Sequence, residues 1–118
     1  MNNKKVAILI IYIIFIIINS LVTFSFESNL WKYDKYVHFF EFFILGILII
    51  NIFLNKLSKM IIIQSFIAVM ILGVFDESIQ FLIPSRIPDV YDLLFDISGG
   101  FCGVFLLSII AMSKQKNG

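Results

Sequence analysis

His38 and Glu41 stand three residues apart, Asp76 and Gln80 four apart with Glu77 between them, and Asp89, Asp92 and Asp96 follow at spacings of three and four. On a helix, separations of three and four place side chains on one face, so each set makes a short polar stripe. Carboxylates, an imidazole and a guanidinium can transfer protons and can bind cations or hydrogen-bonding ligands. Glu77 and Asp92 are the candidate catalytic acid and base, with His38 for proton transfer or orientation. Arg86 is the group suited to hold a phosphate or carboxylate, because a guanidinium donates bidentately to such anions. Gln80, Asp76, Glu41, Asp89, Asp96 and Lys35 complete the candidate binding set. A carboxylate pair can keep one member protonated and the other ionised where their environments differ.

The elements that must position these groups are membrane-spanning helices. The 118 residues are 60% hydrophobic and only 14% charged, and 14 are Phe. A water-soluble core of this size cannot bury so much apolar surface, whereas lipid accepts a helix that is apolar all round. Hydropathy divides the chain into spans at about 6–24, 36–54, 60–83 and 93–112, each long enough to cross a hydrocarbon core roughly 30 Å thick. The expected fold is therefore all-α, a single integral membrane domain of four transmembrane helices over residues 1–118. The basic start and apolar run resemble a secretory signal, but residues 6–24 carry no charge and no small-residue cleavage pattern follows, which favours a retained span. Pro84 and Pro88 interrupt the chain where the third helix should end.

Lysine and arginine set the expected orientation. Lys4, Lys5, Lys56, Lys59, Lys114 and Lys116 fall on one side, and Lys32, Lys35 and Arg86 on the other, which puts both termini in the cytoplasm. Trp31, Tyr33 and Tyr36 then cluster at the outer boundary, where amphipathic rings favour headgroups. The start of the second helix, the end of the third and the start of the fourth share the extracytoplasmic leaflet. Three segments thus bring the candidate residues together, and the opposite leaflet receives little besides Asn51 and Gln64. At 1.5 Å per residue, Asp76 lies on the order of 10 Å inside its helix end, where an ionisable group is costly unless paired, hydrated or neutralised. Six acids face Arg86, His38 and Lys35, and this excess of carboxylate invites a cation, raised pKa values or a hydrogen-bonding ligand.

The structural alternative is a polar clasp that only fixes helix packing: Arg86 with Asp89 or Asp92, His38 with Glu41 or Asp96, and Gln80 on backbone groups. The acids near Pro88 also suit a helix start. Gly99 and Gly103 offer a close-approach face, either within the chain or to a second copy in a homo-oligomer. Cys102, the only cysteine, can form no internal disulfide. A net charge of +1 with no basic stripe excludes nucleic acid as a partner. His38-x-x-Glu41 is no strong metal signature, so no metal site or cofactor is assigned, and no nucleotide-binding loop or nucleophile motif is present. A transport path is not apparent, because the acids stop within one leaflet.

Asp34-Lys35-x-x-His38-Phe39-x-Glu41 before Leu45-Gly46, followed by Asp76-Glu77-x-x-Gln80-x-x-x-Pro84-x-Arg86-x-x-Asp89-x-x-Asp92-x-x-x-Asp96-x-x-Gly99-x-x-x-Gly103, resembles the VanZ-like family. The match runs from about Asp34 to Gly103 and departs at Asp96, where the family commonly has Asn. The resemblance implies a small bacterial membrane protein, multi-pass in the cytoplasmic membrane, from a family whose namesake is linked to teicoplanin resistance. It brings no settled chemistry. The resulting expectation is a protein of the bilayer that binds or acts on a lipid-linked or cell-wall component, with a possible link to glycopeptide susceptibility. The competing expectation is a non-enzymatic accessory or cation-binding membrane protein.

Overall fold

The computed structural model describes the backbone of residues 2–21, 31–84 and 89–118, and side chains for the same residues except 31–34. Arg86, Pro88, Lys32 and the Trp31 and Tyr33 side chains therefore lie outside the described residues. Among the described residues four helices follow in order: α1 Asn3–Leu21, α2 Trp31–Ile52, α3 Lys59–Phe81 and α4 Val90–Asn117, with a 3-10 turn at Leu54–Lys56 between α2 and α3. All four are long and apolar enough to cross a membrane, and no strand occurs among the described residues.

The helix ends follow local chemistry more closely than hydropathy. Ser58 caps α3 by accepting from the Ile61 N–H at 3.3 Å, and Asp89 caps α4 by accepting from Tyr91 N–H at 2.9 Å. Each oxygen satisfies one of the donors that a first helical turn leaves unpaired. At the other end of α3, the Leu82 N–H bonds to the Ile79 carbonyl and Ile83 N–H to the Gln80 carbonyl, tightening the chain into a turn just before Pro84. Compared with the spans read from hydropathy, α2 starts earlier, at Trp31, and α4 runs on to Asn117. The polar residues at these ends lower the hydropathy without breaking the helix. Lys114 and Lys116 in the last turn of α4 complement its dipole.

Packing centres on α2, which lies against α4 over most of its length and is flanked by α1 and α3. Phe42, Leu45, Ile49 and Ile50 of α2 are buried with Ile16 of α1, Val69 of α3 and Val104 of α4. Glycine makes the α2–α4 approach possible. A Cβ on Gly99 would run into the Phe39 carbonyl, one on Gly103 into the Phe43 carbonyl, and one on Gly46 into the Gly100 carbonyl. The close-approach face of Gly99 and Gly103 is thus occupied within the chain by α2, the intramolecular choice of the two that the spacing allows.

The outward surface is apolar. Ile8, Ile11, Phe15 and Ile18 of α1, Ile63, Ile67, Ile71 and Phe75 of α3, and Phe105 and Ile109 of α4 are all exposed. Such a surface would aggregate in water but is the natural boundary with lipid. The small interior is correspondingly enriched in polar groups: Ser20, His38, Ser65, Asp76, Gln80, Asp92, Asp96 and Ser108 are all buried. The four helices are long and apolar enough to cross a membrane, and much of the polarity is turned inward.

Candidate functional site

The chain runs up and down, so the end of α1, the start of α2, the end of α3 and the start of α4 meet at one end of the bundle. There the polar side chains form two layers. The layer nearer the helix ends is built around Lys35. Its Nζ donates to Asp89 Oδ2 at 2.9 Å and lies 3.8 Å from Asp92 Oδ1, and it stands 5.8 Å from the centre of the Tyr91 ring. This is a lysine reaching from an apolar helix toward the polar end of the bundle. The Lys35 ammonium, together with the Tyr91 N–H, holds the Asp89 carboxyl below the usual carboxylate range. Glu77 joins from α3, its Oε1 accepting from the Asp89 backbone N–H at 3.2 Å.

The deeper layer is the more enclosed. His38 Nδ1 sits 2.9 Å from Asp96 Oδ1 and 3.8 Å from Asp76 Oδ2, with the three residues only 4%, 0% and 3% exposed. Gln80 Nε2 donates to Asp76 Oδ2 at 2.9 Å, one helical turn along the same face, and Ser20 of α1 donates its hydroxyl to Asp76 Oδ1. His38 is seven residues from the start of α2, Asp76 five from the end of α3 and Asp96 six from the start of α4. At 1.5 Å per residue these are depths of about 8 to 10 Å, so three helices deliver their groups to one level.

Glu41 turns away from this centre. Its Oε1 accepts from the Asn19 side-chain amide, and its backbone carbonyl accepts from the Tyr12 hydroxyl at 2.9 Å, so it ties α2 to α1. Of the two carboxylates open to it in the clasp reading, His38 pairs with Asp96, and Gln80 donates to the Asp76 carboxylate, where the clasp reading had it on backbone groups. Among the candidates drawn from the sequence, His38, Asp76, Gln80 and Asp96 converge most closely. Lys35, Asp89, Asp92 and Glu77 lie one layer above, and Arg86 lies outside the described residues.

The contribution of α1 went unrecognised in the sequence. Ser20 donates to Asp76 in the site while Tyr12 and Asn19 hold Glu41 beside it, and the signal was available: Asn19-Ser20 interrupts an otherwise apolar span near the helix end that meets the acids. Polar residues inside a span normally face the bundle interior.

Among the described residues, two carboxylate oxygens, Asp96 Oδ2 and Glu77 Oε2, are buried without a hydrogen-bond partner. They mark places where the interior can accept a proton, a donor or a cation, since an unsatisfied buried carboxylate oxygen is costly. Glu77 also lines an open apolar groove between α3 and α4 with Val74, Ser78, Phe81, Leu82 and Leu93.

No curated protein and no solved structure matches the chain. The family model VanZ/LLP1 does match, over residues 3–111, which takes in all four helices and every side chain of the site just described. The chain belongs to the VanZ/LLP1 family.

Proposed function

We propose that this protein binds and processes a cell-envelope molecule, lipid-linked or part of the wall, that enters from the extracytoplasmic leaflet and meets the polar cluster between α2, α3 and α4. The observation that carries this reading is the pair of buried, unpartnered carboxylate oxygens on Asp96 and Glu77, within a cluster to which all four helices contribute. A packing clasp gains nothing from acceptors left unsatisfied, whereas a binding site uses them. The apolar groove beside Glu77 suits an amphiphile, which would keep its chains in lipid while its polar end reaches the carboxylate. Glu77 and Asp92 serve as acid and base in this reading, His38 orients or relays a proton, and Arg86 holds an anionic group. The outward orientation rests on the lysine distribution, with both termini in the cytoplasm.

The test is complementation of a deletion strain under a panel of envelope-active antibiotics, with teicoplanin first because of the family's namesake. Wild type is compared with Glu77→Gln, Arg86→Gln and Asp92→Asn at matched membrane abundance, and lipids and muropeptides are profiled by mass spectrometry. Abundant variants that fail to restore the wild-type profile support a site. Variants that restore it fully favour the polar clasp, for which the Ser20–Asp76–Gln80 linkage is the specific observation.

A further inference from the structure

The geometry points to a site for a single divalent transition-metal ion, of the zinc or manganese class, held by His38, Asp76 and Asp96 where α2, α3 and α4 meet. The inference stands whether or not the cluster acts on an envelope molecule. Each of the three residues offers one ligand atom, and these atoms all lie within 4.8 Å of one another. An ion with ligands at about 2.0–2.2 Å sets them about 2.8–3.1 Å apart in octahedral and about 3.3–3.6 Å apart in tetrahedral arrangement. His38 Nδ1 is 2.9 Å from Asp96 Oδ1, inside that range, and 3.8 Å from Asp76 Oδ2, just beyond it. Small side-chain adjustments on three rigid helices reach it.

A second observation is independent of this spacing. Asp96 Oδ2 belongs to a fully buried side chain on the carboxylate that touches His38, and none of the described residues donates to it. A cation supplies what the protein does not. Two carboxylates with a neutral imidazole carry two negative charges, and a divalent ion cancels them where the low dielectric makes net charge expensive. Ser20 and Gln80 each donate to one oxygen of Asp76, fixing the carboxylate as hydrogen-bonding neighbours of metal ligands do. The imidazole nitrogen argues for a transition metal over magnesium or calcium, which favour oxygen ligands throughout. Three protein ligands also leave at least one position open to an external group.

His38 is the only histidine in the chain, so one spectroscopic signal reports on the site in the unaltered protein. Full-length protein in detergent, labelled with 15N-histidine and stripped with chelator, is titrated with Zn2+ and, separately, with Mg2+. Metal retained after dialysis against Zn2+ or Mn2+ is measured alongside. We expect the His38 imidazole resonances to move to a metal-bound form with Zn2+ and not with Mg2+, and about one ion to be retained per chain. Asp96→Asn should weaken retention more than about tenfold. Unchanged His38 resonances at excess Zn2+, an equal response to Mg2+, or undiminished retention in a folded Asp96→Asn variant would overturn the site. If that variant does not fold, the wild-type spectrum decides. Failure here leaves the complementation result untouched, and the reverse also holds.

Discussion

Substituting alanine for Gly99 and for Gly73 separates helix packing from helix propensity, because both glycines lie within helices and only one has a backbone against it. At Gly99 an added Cβ would lie 2.8 Å from the Phe39 carbonyl carbon and 3.0 Å from its Cα, with the oxygen nearer still. Ordinary contact begins at 3.4 Å, so α2 and α4 must part by at least about 0.6 Å, and the obstacle is rigid main chain. At Gly73 the nearest atom is Leu93 Cδ1 at 3.4 Å, the end of a flexible side chain. Both variants gain the same propensity benefit, up to about 1 kcal/mol. Their difference therefore isolates overpacking, expected at about 1–3 kcal/mol against Gly99→Ala. Reversible unfolding in mixed micelles by SDS titration, followed by circular dichroism, measures it. The damage should also reach the site, because Phe39 adjoins His38, and Gly99 lies one turn beyond Asp96; parting the helices pulls the imidazole from the carboxylate. Equal stability of the two alanine variants would refute the close approach of α2 and α4 on which the site's geometry depends.

Ser20→Ala removes the hydroxyl that donates to Asp76 and should cost about 1–3 kcal/mol in the same unfolding assay, with wild-type stability counting against a role for α1 in the site. Asp96→Leu alone should destabilise by about 3–5 kcal/mol by removing the nearer partner of His38 and leaving only Asp76 at 3.8 Å, whereas His38→Leu with Asp96→Leu should recover most of that loss. The recovered double variant should accumulate in membranes yet fail complementation; if it complements, the pair is only structural. The Asp89 contribution depends on pH with a defined sign. Its carboxyl is depressed in the folded state by Lys35 and the Tyr91 N–H, so the stability it adds is present above the unfolded value of about 3.9 and is lost as pH falls through the lower folded value. The stability gap between wild type and Asp89→Asn should therefore be constant near neutrality and close in strong acid; a gap that widened on acidification would contradict the pairing.

The sequence by itself determined four spans, their alternation and the end at which the acids gather. These follow from local chemistry: uncharged apolar runs must lie in lipid, and helical periodicity ties His38 to the first turns of one span and Asp76 and Gln80 to the last turns of another. Pro84 was legible for the same reason, since it acts on the backbone beside it, and the acids after Pro88 read as helix-start chemistry, but that Asp89 is the cap came only from the structure. Helix ends such as Trp31 and Asn117 were less so, because a helix continues through polar residues once it leaves the hydrocarbon. Only the tertiary structure decided which groups meet. Whether His38 faces Glu41 or Asp96 depends on how α2 is rotated against α4, and that rotation is fixed by Gly46, Gly99 and Gly103 admitting backbone contact along one line, while Gly100 admits the Val69 side chain of α3. The place of Ser20 beside Asp76 depends likewise on α1 packing against α3. A ligand set drawn from three helices has no spacing along the chain, so His38, Asp76 and Asp96 form a possible metal site in space without forming a motif in sequence.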